Sequence, residues 1–143
     1  MPRRGARLRA FAGHRWEDIM AGFDGEAFVR RFNSVWDEHD VDGIAEMFTD
    51  DVVFEASFGT EPYGERAVGR EAARKLAAAV FEKIPDLHFE EIRHFVTPEF
   101  AVVEAVTTGT PVGGQPYEVH LVDLLTLRDG RIAAKRSYRK GRL

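Results

Sequence analysis

Pro85 separates a part of the sequence that favours helices from a part that favours strands. Before it, apolar residues recur at three- and four-residue steps in residues 24–39 and 70–84, which is the pattern of amphipathic helices. After it come four segments rich in β-branched and aromatic residues, at 87–96, 99–109, 117–127 and 131–139. This order predicts an α+β fold, in which helices cover one face of a sheet whose last four strands run antiparallel in series.

Shorter elements fill the stretch between the two long helices. Residues 43–48 predict a second helix of about two turns, with Asp42 as its capping residue. Residues 50–55 then predict the first strand. Residues 57–69 contain three glycines and one proline, so we expect a loop there that is able to cover a pocket.

The length of 143 residues fits one domain, which we place at residues 21–143. The first 15 residues contain five arginines and no acidic residue. No apolar segment typical of a secretion signal follows them. We therefore interpret residues 1–20 as a basic, flexible arm rather than a targeting segment.

Composition excludes several classes of function. A net charge of −4 and a pI near 5.7 do not provide the positive field that nucleic-acid binding requires. The absence of cysteine excludes disulfides, thiolate nucleophiles and cysteine-bound metals. The sequence has no long apolar run, so we expect no membrane partner and a cytoplasmic location.

Four passages of the sequence form a recognisable series: FNSVWDEHDVDGIAEMFTDDVVFE, GREAARKL, VVEAVTTGT and VDLLTLRDGRIAAKRSYR. In this order, over roughly residues 25–140, the chain resembles the nuclear transport factor 2-like superfamily, especially its SnoaL-like polyketide cyclase and ketosteroid isomerase branch. The resemblance implies a curved, mixed or antiparallel sheet that wraps as a cone around about three N-terminal helices and encloses an apolar pocket. It also implies a homodimer formed through the outer face of the sheet.

Asp123 is the main candidate for acid–base chemistry. Strand alternation places it on the same face as Leu121 and Leu125, so we expect it to be buried. Burial favours the protonated acid, which can donate a hydrogen bond to a substrate oxygen or deliver a proton. Its place before the final hairpin resembles that of the oxyanion-binding aspartate of ketosteroid isomerase. The alternative is a structural aspartate, paired with a backbone amide or with Lys135.

Two glutamates are candidate bases. Glu104 lies in a strand that is apolar on both faces, and it resembles a recurrent pocket glutamate of SnoaL-like strands. If Glu104 and Asp123 share the pocket, repulsion between two carboxylates would leave one as the acid and the other as the base. Glu55 follows the first strand, at the expected mouth of the pocket.

Two departures from the motifs of the family argue against particular reactions. Ala56 stands where ketosteroid isomerase has its proton-shuttling aspartate, which disfavours steroid isomerisation unless Glu55 or Glu104 substitutes. Ser137 stands where epoxide-opening relatives have the last of their two aspartates, which disfavours epoxide hydrolysis.

The pocket is expected to be lined by Trp36, Phe54, Tyr63, Leu121, Ser137 and Tyr138. Lys135 is expected on the solvated outer face of its strand. The alternative is that it points inward, where its ammonium would anchor an anionic ligand or pair with Asp123. His88, Glu90 and His94 alternate onto one strand face, but exposed polar faces have the same pattern, so we expect no metal site. Because no glycine-rich phosphate loop joins a strand to a helix, we also expect no cofactor.

These residues favour a cofactor-independent acid–base enzyme that acts on a small, apolar, oxygen-bearing or polyketide-like molecule, by a cyclase- or isomerase-type reaction. Asp123 would be the acid, and Glu104 or Glu55 the base. The alternative is a non-catalytic protein of the same fold that binds a small molecule or serves as a dimeric scaffold. Two convergent titratable groups in the pocket would favour the enzyme.

Overall fold

Helices and strands make up most of residues 22–141, the part of the chain that the computed structural model describes. The predicted basic arm at residues 1–20 lies outside this part. The described elements are α1 (Gly25–Asp37), α2 (Val41–Glu46), β1 (Phe48–Glu55), β2 (Arg66–Val68), α3 (Arg70–Lys83), β3 (His88–Val96), β4 (Phe100–Gly109), β5 (Tyr117–Arg128) and β6 (Arg131–Arg139). The α+β class and the series of four strands after Pro85 are confirmed.

The first two helices begin at aspartate caps. Asp24 accepts a hydrogen bond from the backbone amide of Ala27 at 3.0 Å, and this bond starts α1 where the sequence predicts it. Helix α2 begins two residues earlier than predicted, because Asp40 rather than Asp42 is its cap. The Asp40 carboxylate accepts from the amide of Gly43 at 3.0 Å. The apolar stripe of α1 is buried: Phe28, Val29, Phe32, Val35 and Trp36.

Helix α3 is hydrogen-bonded to the sheet at its first residue and ends just before a proline. Gly69, with φ of +92°, precedes it, and a positive φ of this size favours glycine. The Arg70 guanidinium donates to the carbonyl oxygen of Phe48 at 2.7 Å, which fixes the helix start against β1. The helix ends before Pro85, as predicted. None of the helices within residues 22–141 combines the length and the hydrophobicity needed to cross a bilayer.

The strands of the described residues form one open sheet in the order β2–β1–β6–β5–β4–β3. Strands β3, β4, β5 and β6 pair antiparallel in series, as predicted. Strand β1 pairs in parallel with β6 and antiparallel with β2, so the sheet is mixed. The helices pack on one face of this sheet, and the side chains between the two layers form the core.

The loop prediction for residues 57–69 is wrong at its end. Residues 66–68 form the short strand β2, which pairs with the last residues of β1. The rest of the stretch folds back on itself, because the amide of Ala56 donates to Glu65 O at 2.8 Å and the amide of Glu65 donates to Phe58 O at 2.9 Å. We call residues 56–65 the closed loop.

An aromatic cluster joins the layers at the centre of the core. Trp36 of α1 is 5% exposed. Its ring centroid lies 5.7 Å from those of Phe54 in β1 and Phe81 in α3, and 6.4 Å from that of Phe89 in β3. Tilted and edge-on contacts of this kind are favourable between aromatic rings. The cluster therefore holds both helices and the sheet around one point, beside which the candidate site lies.

Candidate active site

A small cavity lies beside Trp36, between the helices and the inner face of the sheet. Its volume is about 40 Å³, which holds a few water molecules and is far below the size of a pocket for a molecule with several rings. Most of its wall is apolar. The polar side chains on the wall are those of Ser57, Thr107, Tyr117, Asp123, Lys135, Ser137 and Arg139.

Lys135 points into this cavity, and its side chain is only 5% exposed. Its ammonium nitrogen donates to Asp123 Oδ1 at 3.0 Å and to Ser137 Oγ at 2.6 Å. The same nitrogen lies 4.4 Å from the ring centroid of Trp36 and 4.8 Å from that of Phe54. The carboxylate and the ring faces stabilise the ammonium ion inside an apolar wall. The expectation of an outward, solvated Lys135 is therefore wrong.

Asp123 is buried, as its strand position predicts, with its side chain 8% exposed. In addition to Lys135, Ser137 donates to its Oδ1, with Oγ at 2.5 Å. An adjacent ammonium favours an ionised carboxylate over a neutral acid. The structure thus agrees with the alternative, an aspartate paired to Lys135. Because both bonds end on Oδ1, Oδ2 is the oxygen left for a bound molecule.

Strand register brings these side chains together. Asp123 lies opposite Ser137 in the β5–β6 pairing, and Leu125 lies opposite Lys135, so all of them share the inner face. The pairing is irregular between Thr126 and Leu127, as in a β-bulge. The bulge breaks the alternation of β6. As a result, Ile132 and Lys135 are both buried although they are three residues apart.

Thr107 contributes an unpaired hydroxyl to the same cavity. It lies on β4 and is 2% exposed. Within the described part of the chain, its Oγ1 is the one buried side-chain polar atom that has no hydrogen-bond partner. A buried polar atom without a partner costs about 1–3 kcal/mol, and a ligand oxygen would recover that free energy if a small movement of the cavity wall uncovered this hydroxyl.

A wider depression adjoins the cavity at the surface, and we call it the vestibule. Its volume is about 380 Å³. Four residues line both spaces, so the vestibule adjoins the cavity: Ala56, Ser57, Ser137 and Arg139. Tyr63 of the closed loop and Arg136 of β6 also line the vestibule. At the junction, the Arg139 guanidinium carbon lies 4.7 Å from the ring centroid of Tyr117.

The predicted lining residues fall into two groups. Trp36, Phe54, Leu121 and Ser137 line the cavity. Tyr63 and Tyr138 lie outside it and are 42% and 54% exposed. Tyr138 points outward because it lies opposite the outward-facing Val122. Both tyrosines line the vestibule instead, where the Tyr63 ring packs under the guanidinium of Arg66, 3.6 Å from the ring centroid.

Glu104 does not share the cavity with Asp123, and that expectation is wrong. Val103 lies opposite Asp123, so Glu104 points to the outer face of the sheet. There its carboxylate accepts a hydrogen bond from Arg93 Nε at 2.5 Å. A base at this position cannot reach a molecule bound in the cavity.

Glu55 is buried, but its surroundings do not suit a base acting in the cavity. It follows the inward-facing Phe54 and therefore points to the opposite side of β1. Its Oε2 accepts from Arg66 Nε at 2.7 Å, and its Oε1 lies 3.1 Å from Arg136 Nε. Two guanidinium groups thus neutralise its charge. Ala56, the next residue, lines the cavity with no titratable group.

His88, Glu90 and His94 do not share one strand face, contrary to the alternation read from the sequence. The β3–β4 register shifts between Glu91 and Arg93, so His94 lies on the inner side of β3 and His88 on the outer side. Across residues 22–141, no group of three or more histidine or acidic side chains is placed to hold a metal ion.

His94 instead links β3 to helix α1. Its Nε2 lies 3.0 Å from Glu26 Oε1 and its Nδ1 lies 2.8 Å from Glu91 Oε1. The hydrogen bond to Glu26, opposed by burial and supported by Glu91, raises the pKa of His94 above its usual range.

Sequence reasoning missed two residues of the site, Thr107 and Arg139, and it gave an inward Lys135 paired with Asp123 only as the alternative. Thr107 carried a usable signal, because it continues the two-residue series of buried residues Ala101, Val103 and Ala105 on β4. Thr107, like Asp123, is a polar residue on a strand face that is otherwise apolar, and such a position is unusual. For Lys135, alternation gives opposite answers: it shares a face with Ser137, which was expected in the pocket, but the bulge separates it from the buried Ile132.

The helices, the curved mixed sheet and the inner cavity place the protein among the α+β proteins of the nuclear transport factor 2-like class. The sequence matches the model of the SnoaL-like domain over residues 29–135, which is most of the chain, and the chain belongs to that family. The predicted superfamily is thereby confirmed. No curated protein matches the sequence.

Solved structures agree with this assignment. An NTF2-like protein of unknown function from Mesorhizobium loti is 27% identical, with a TM-score of 0.65, and the match covers 90% of this chain and 96% of that one. A candidate SnoaL-like polyketide cyclase from Jannaschia sp. CCS1 is 25% identical, with a TM-score of 0.67 and coverage of 81% and 87%. A cystatin-like protein of unknown function from Xanthomonas campestris is 14% identical, with a TM-score of 0.71 and coverage of 83% and 92%. The last similarity shows the fold alone.

Proposed function

We propose that this protein is a cofactor-independent acid–base enzyme that acts on a small, oxygen-bearing molecule by a cyclase- or isomerase-type reaction. The observation that carries the proposal is the ion pair between Asp123 and Lys135, buried on the wall of an apolar cavity. It provides two convergent titratable groups of opposite charge in one cavity, which is the arrangement expected of a catalytic site. The family name and the candidate polyketide cyclase among the similar structures support the same class of reaction.

The geometry favours proton removal next to a carbonyl group, with Asp123 as the base rather than the acid. Asp123 Oδ2 accepts the proton from the carbon beside the carbonyl. The electron pair of the broken C–H bond forms the carbon–carbon double bond, and the carbonyl electrons move to oxygen. The Lys135 ammonium stabilises the resulting oxyanion. In a cyclisation, the enolate carbon attacks a second carbonyl carbon of the same molecule, and the alkoxide that forms takes the proton from Asp123. In an isomerisation of a β,γ-unsaturated carbonyl compound, the dienolate takes the proton back from Asp123 at the γ carbon.

The size of the cavity restricts the substrate. A volume of about 40 Å³ admits the reacting end of a molecule but not a fused ring system. The vestibule, at about 380 Å³, has room for the remainder of a small ligand. We therefore propose a small linear or single-ring carbonyl compound, held partly in each space.

Exchange of carbon-bound hydrogen tests this proposal without knowledge of the natural substrate. Small ketones such as butan-2-one and cyclohexanone are incubated with the protein in D2O, and loss of the signals next to the carbonyl is followed by proton NMR. Asp123→Asn should lower the exchange rate about 10²–10⁴-fold. Glu104→Gln is the matched control, because Glu104 lies on the outer face and should leave the rate unchanged. Equal exchange in wild type and Asp123→Asn would contradict the acid–base role and favour a binding protein.

We also propose that the outer face of the sheet forms a homodimer. Phe95 and Tyr138 are 63% and 54% exposed on this face. They border a groove of about 590 Å³ that Val102 and Val122 also line. Exposed apolar surface of this kind is typical of a protein–protein interface.

Sedimentation velocity tests the dimer. The wild type should sediment as a dimer, and Phe95→Asp should shift it towards monomer because it would bury a charge at the interface. Val112→Asp is the control, since Val112 is 74% exposed in the turn between β4 and β5. A monomeric wild type would refute the proposal.

A further inference from the structure

We propose that Arg139 binds a carboxylate group of the substrate, so that the molecules this protein accepts are small oxo-carboxylates. This inference deepens the proposed function and rests on it for the chemistry at Asp123. The binding step that it describes is tested separately from turnover.

Arg139 lies where the cavity meets the vestibule, and its charge is not used within the described part of the chain. The two nearby arginines, Arg66 and Arg136, both pair with the carboxylate of Glu55. No carboxylate within residues 22–141 lies within ion-pair distance of Arg139. Instead, its guanidinium packs on the ring of Tyr117, which leaves the hydrogen-bonding edges of the group free for a ligand.

The charge balance around the vestibule favours an anion. Two guanidinium groups, from Arg136 and Arg139, line the vestibule with a single carboxylate, that of Glu55. The Glu55 carboxylate is also paired with Arg66 behind the vestibule wall. In the cavity behind them, Lys135 and Asp123 compensate each other. A cationic ligand would be repelled at this entrance, and a purely apolar ligand would desolvate Arg139 without compensating its charge. A guanidinium group matches a carboxylate with two parallel hydrogen bonds.

Strand geometry sets the distance between the carboxylate and the reacting carbon. Ser137 and Arg139 are two residues apart on the inner face of β6, which separates their Cα atoms by about 7 Å. Asp123 lies directly opposite Ser137. A ligand bound through a carboxylate at Arg139 therefore presents a carbon a few bonds away to Asp123 Oδ2.

Thr107 offers a place for a further oxygen of the same ligand. Its unpaired Oγ1 is buried on the cavity wall, and Thr107 lies on the strand next to β5. Once a small movement of the wall uncovers this buried hydroxyl, a carbonyl or hydroxyl oxygen of the ligand would pair a group that no other described residue satisfies. The site thus suits a molecule with a carboxylate at one end and at least one further oxygen, which describes an oxo-carboxylate.

A matched pair of probes tests the inference: 4-oxopentanoate and its uncharged methyl ester. Their dissociation constants are measured by titration of the ¹⁵N-labelled full chain and observation of its NMR signals. The wild type should bind the acid about tenfold more tightly than the ester, the effect expected of one charge-assisted hydrogen-bonded pair. Arg139→Gln should remove this preference. Arg131→Gln, an exposed arginine at the other end of β6, should keep it.

The signal of the Arg139 side-chain Nε–H gives a second measurement that needs no variant. The acid should shift this signal, and the ester should not. Equal affinity for acid and ester, survival of the preference in Arg139→Gln, or an acid-induced shift of the Arg66 or Arg136 signal in place of Arg139 would each overturn the inference.

Failure of the inference and failure of the proposed function give different results. Hydrogen exchange is followed on uncharged ketones, whereas the preference for the acid is followed as binding at Arg139, so the two measurements are independent. A normal preference without any hydrogen exchange would count against the enzyme alone. Hydrogen exchange that depends on Asp123, without preference for the acid, would count against the carboxylate site alone.

Discussion

Replacement of Lys135 by Met is expected to destabilise the protein by about 3–5 kcal/mol. The methionine has nearly the volume of the lysine stem and keeps the contacts with the rings of Trp36 and Phe54. What it removes is the positive charge. The Asp123 carboxylate, whose side chain is 8% exposed, then remains buried without its cation, and an uncompensated buried charge has a cost of about this size.

A second substitution should restore most of this stability. In the double variant Lys135→Met/Asp123→Leu, no charge is left to be buried, and such apolar replacements of buried ion pairs are commonly neutral or stabilising. The coupling between the two substitutions should therefore amount to several kcal/mol.

Urea denaturation followed by circular dichroism measures these free energies of unfolding. A domain of this size has about 5–15 kcal/mol of stability, so the change is large enough to resolve. Lys75→Met, at an exposed position of α3, is the matched control and should change stability by less than about 0.5 kcal/mol. A cost of Lys135→Met below about 1 kcal/mol, or a double variant no more stable than the single one, would refute a buried and coupled ion pair.

Two further predictions concern other parts of the fold. Because the folded pKa of His94 is raised, mainly by Glu26, its contribution to stability is fully present below pH ~6.5 and is lost as the pH rises through the folded pKa. His94→Gln should therefore lower the melting temperature more at pH ~6 than at pH ~8.5, and an equal or larger effect at the higher pH would contradict this. Gly64→Ala should cost at least about 1 kcal/mol more than Gly113→Ala, because both glycines have φ above +70° but only at Gly64 would a Cβ overlap the closed loop. Equal unfolding free energies for the two variants would show that the loop gives way at little cost.

The order of helices and strands was predictable because the local sequence patterns favour the same elements that the folded protein contains. The stripe of α1, the stop at Pro85 and the alternation of β5 each have one clear physical cause. These signals also placed Asp123 on the buried face. Strand β2 was not predictable, because a segment of three residues flanked by glycines is too short to show the alternation of a strand. These residues form a strand only because the edge of β1 is free to pair with them.

The site was harder to predict than the fold, for reasons that particular residues show. Glu104 lies in a strand with apolar residues on both faces, so its side could not be decided from the pattern, and its outward direction follows from the β4–β5 register. Lys135 lies beyond a bulge that inverts the alternation of β6. In both cases the register with the neighbouring strand decides which way the side chain points, and a single sequence does not reveal that register.

The parallel pairing of β1 with β6 sets the order in which the protein can form during synthesis. Strand β1 leaves the ribosome roughly eighty residues before the end of β6, and at typical synthesis rates it waits several seconds for that partner. Until then, one long edge of β1 has only solvent or other chains to pair with, which makes the nascent chain prone to aggregation. Phe54 comes from β1 and Lys135 from β6, so the ion pair and its aromatic surroundings assemble only when this last strand docks. A chain that stops short of β6 would lack the site altogether, however well its helices had formed.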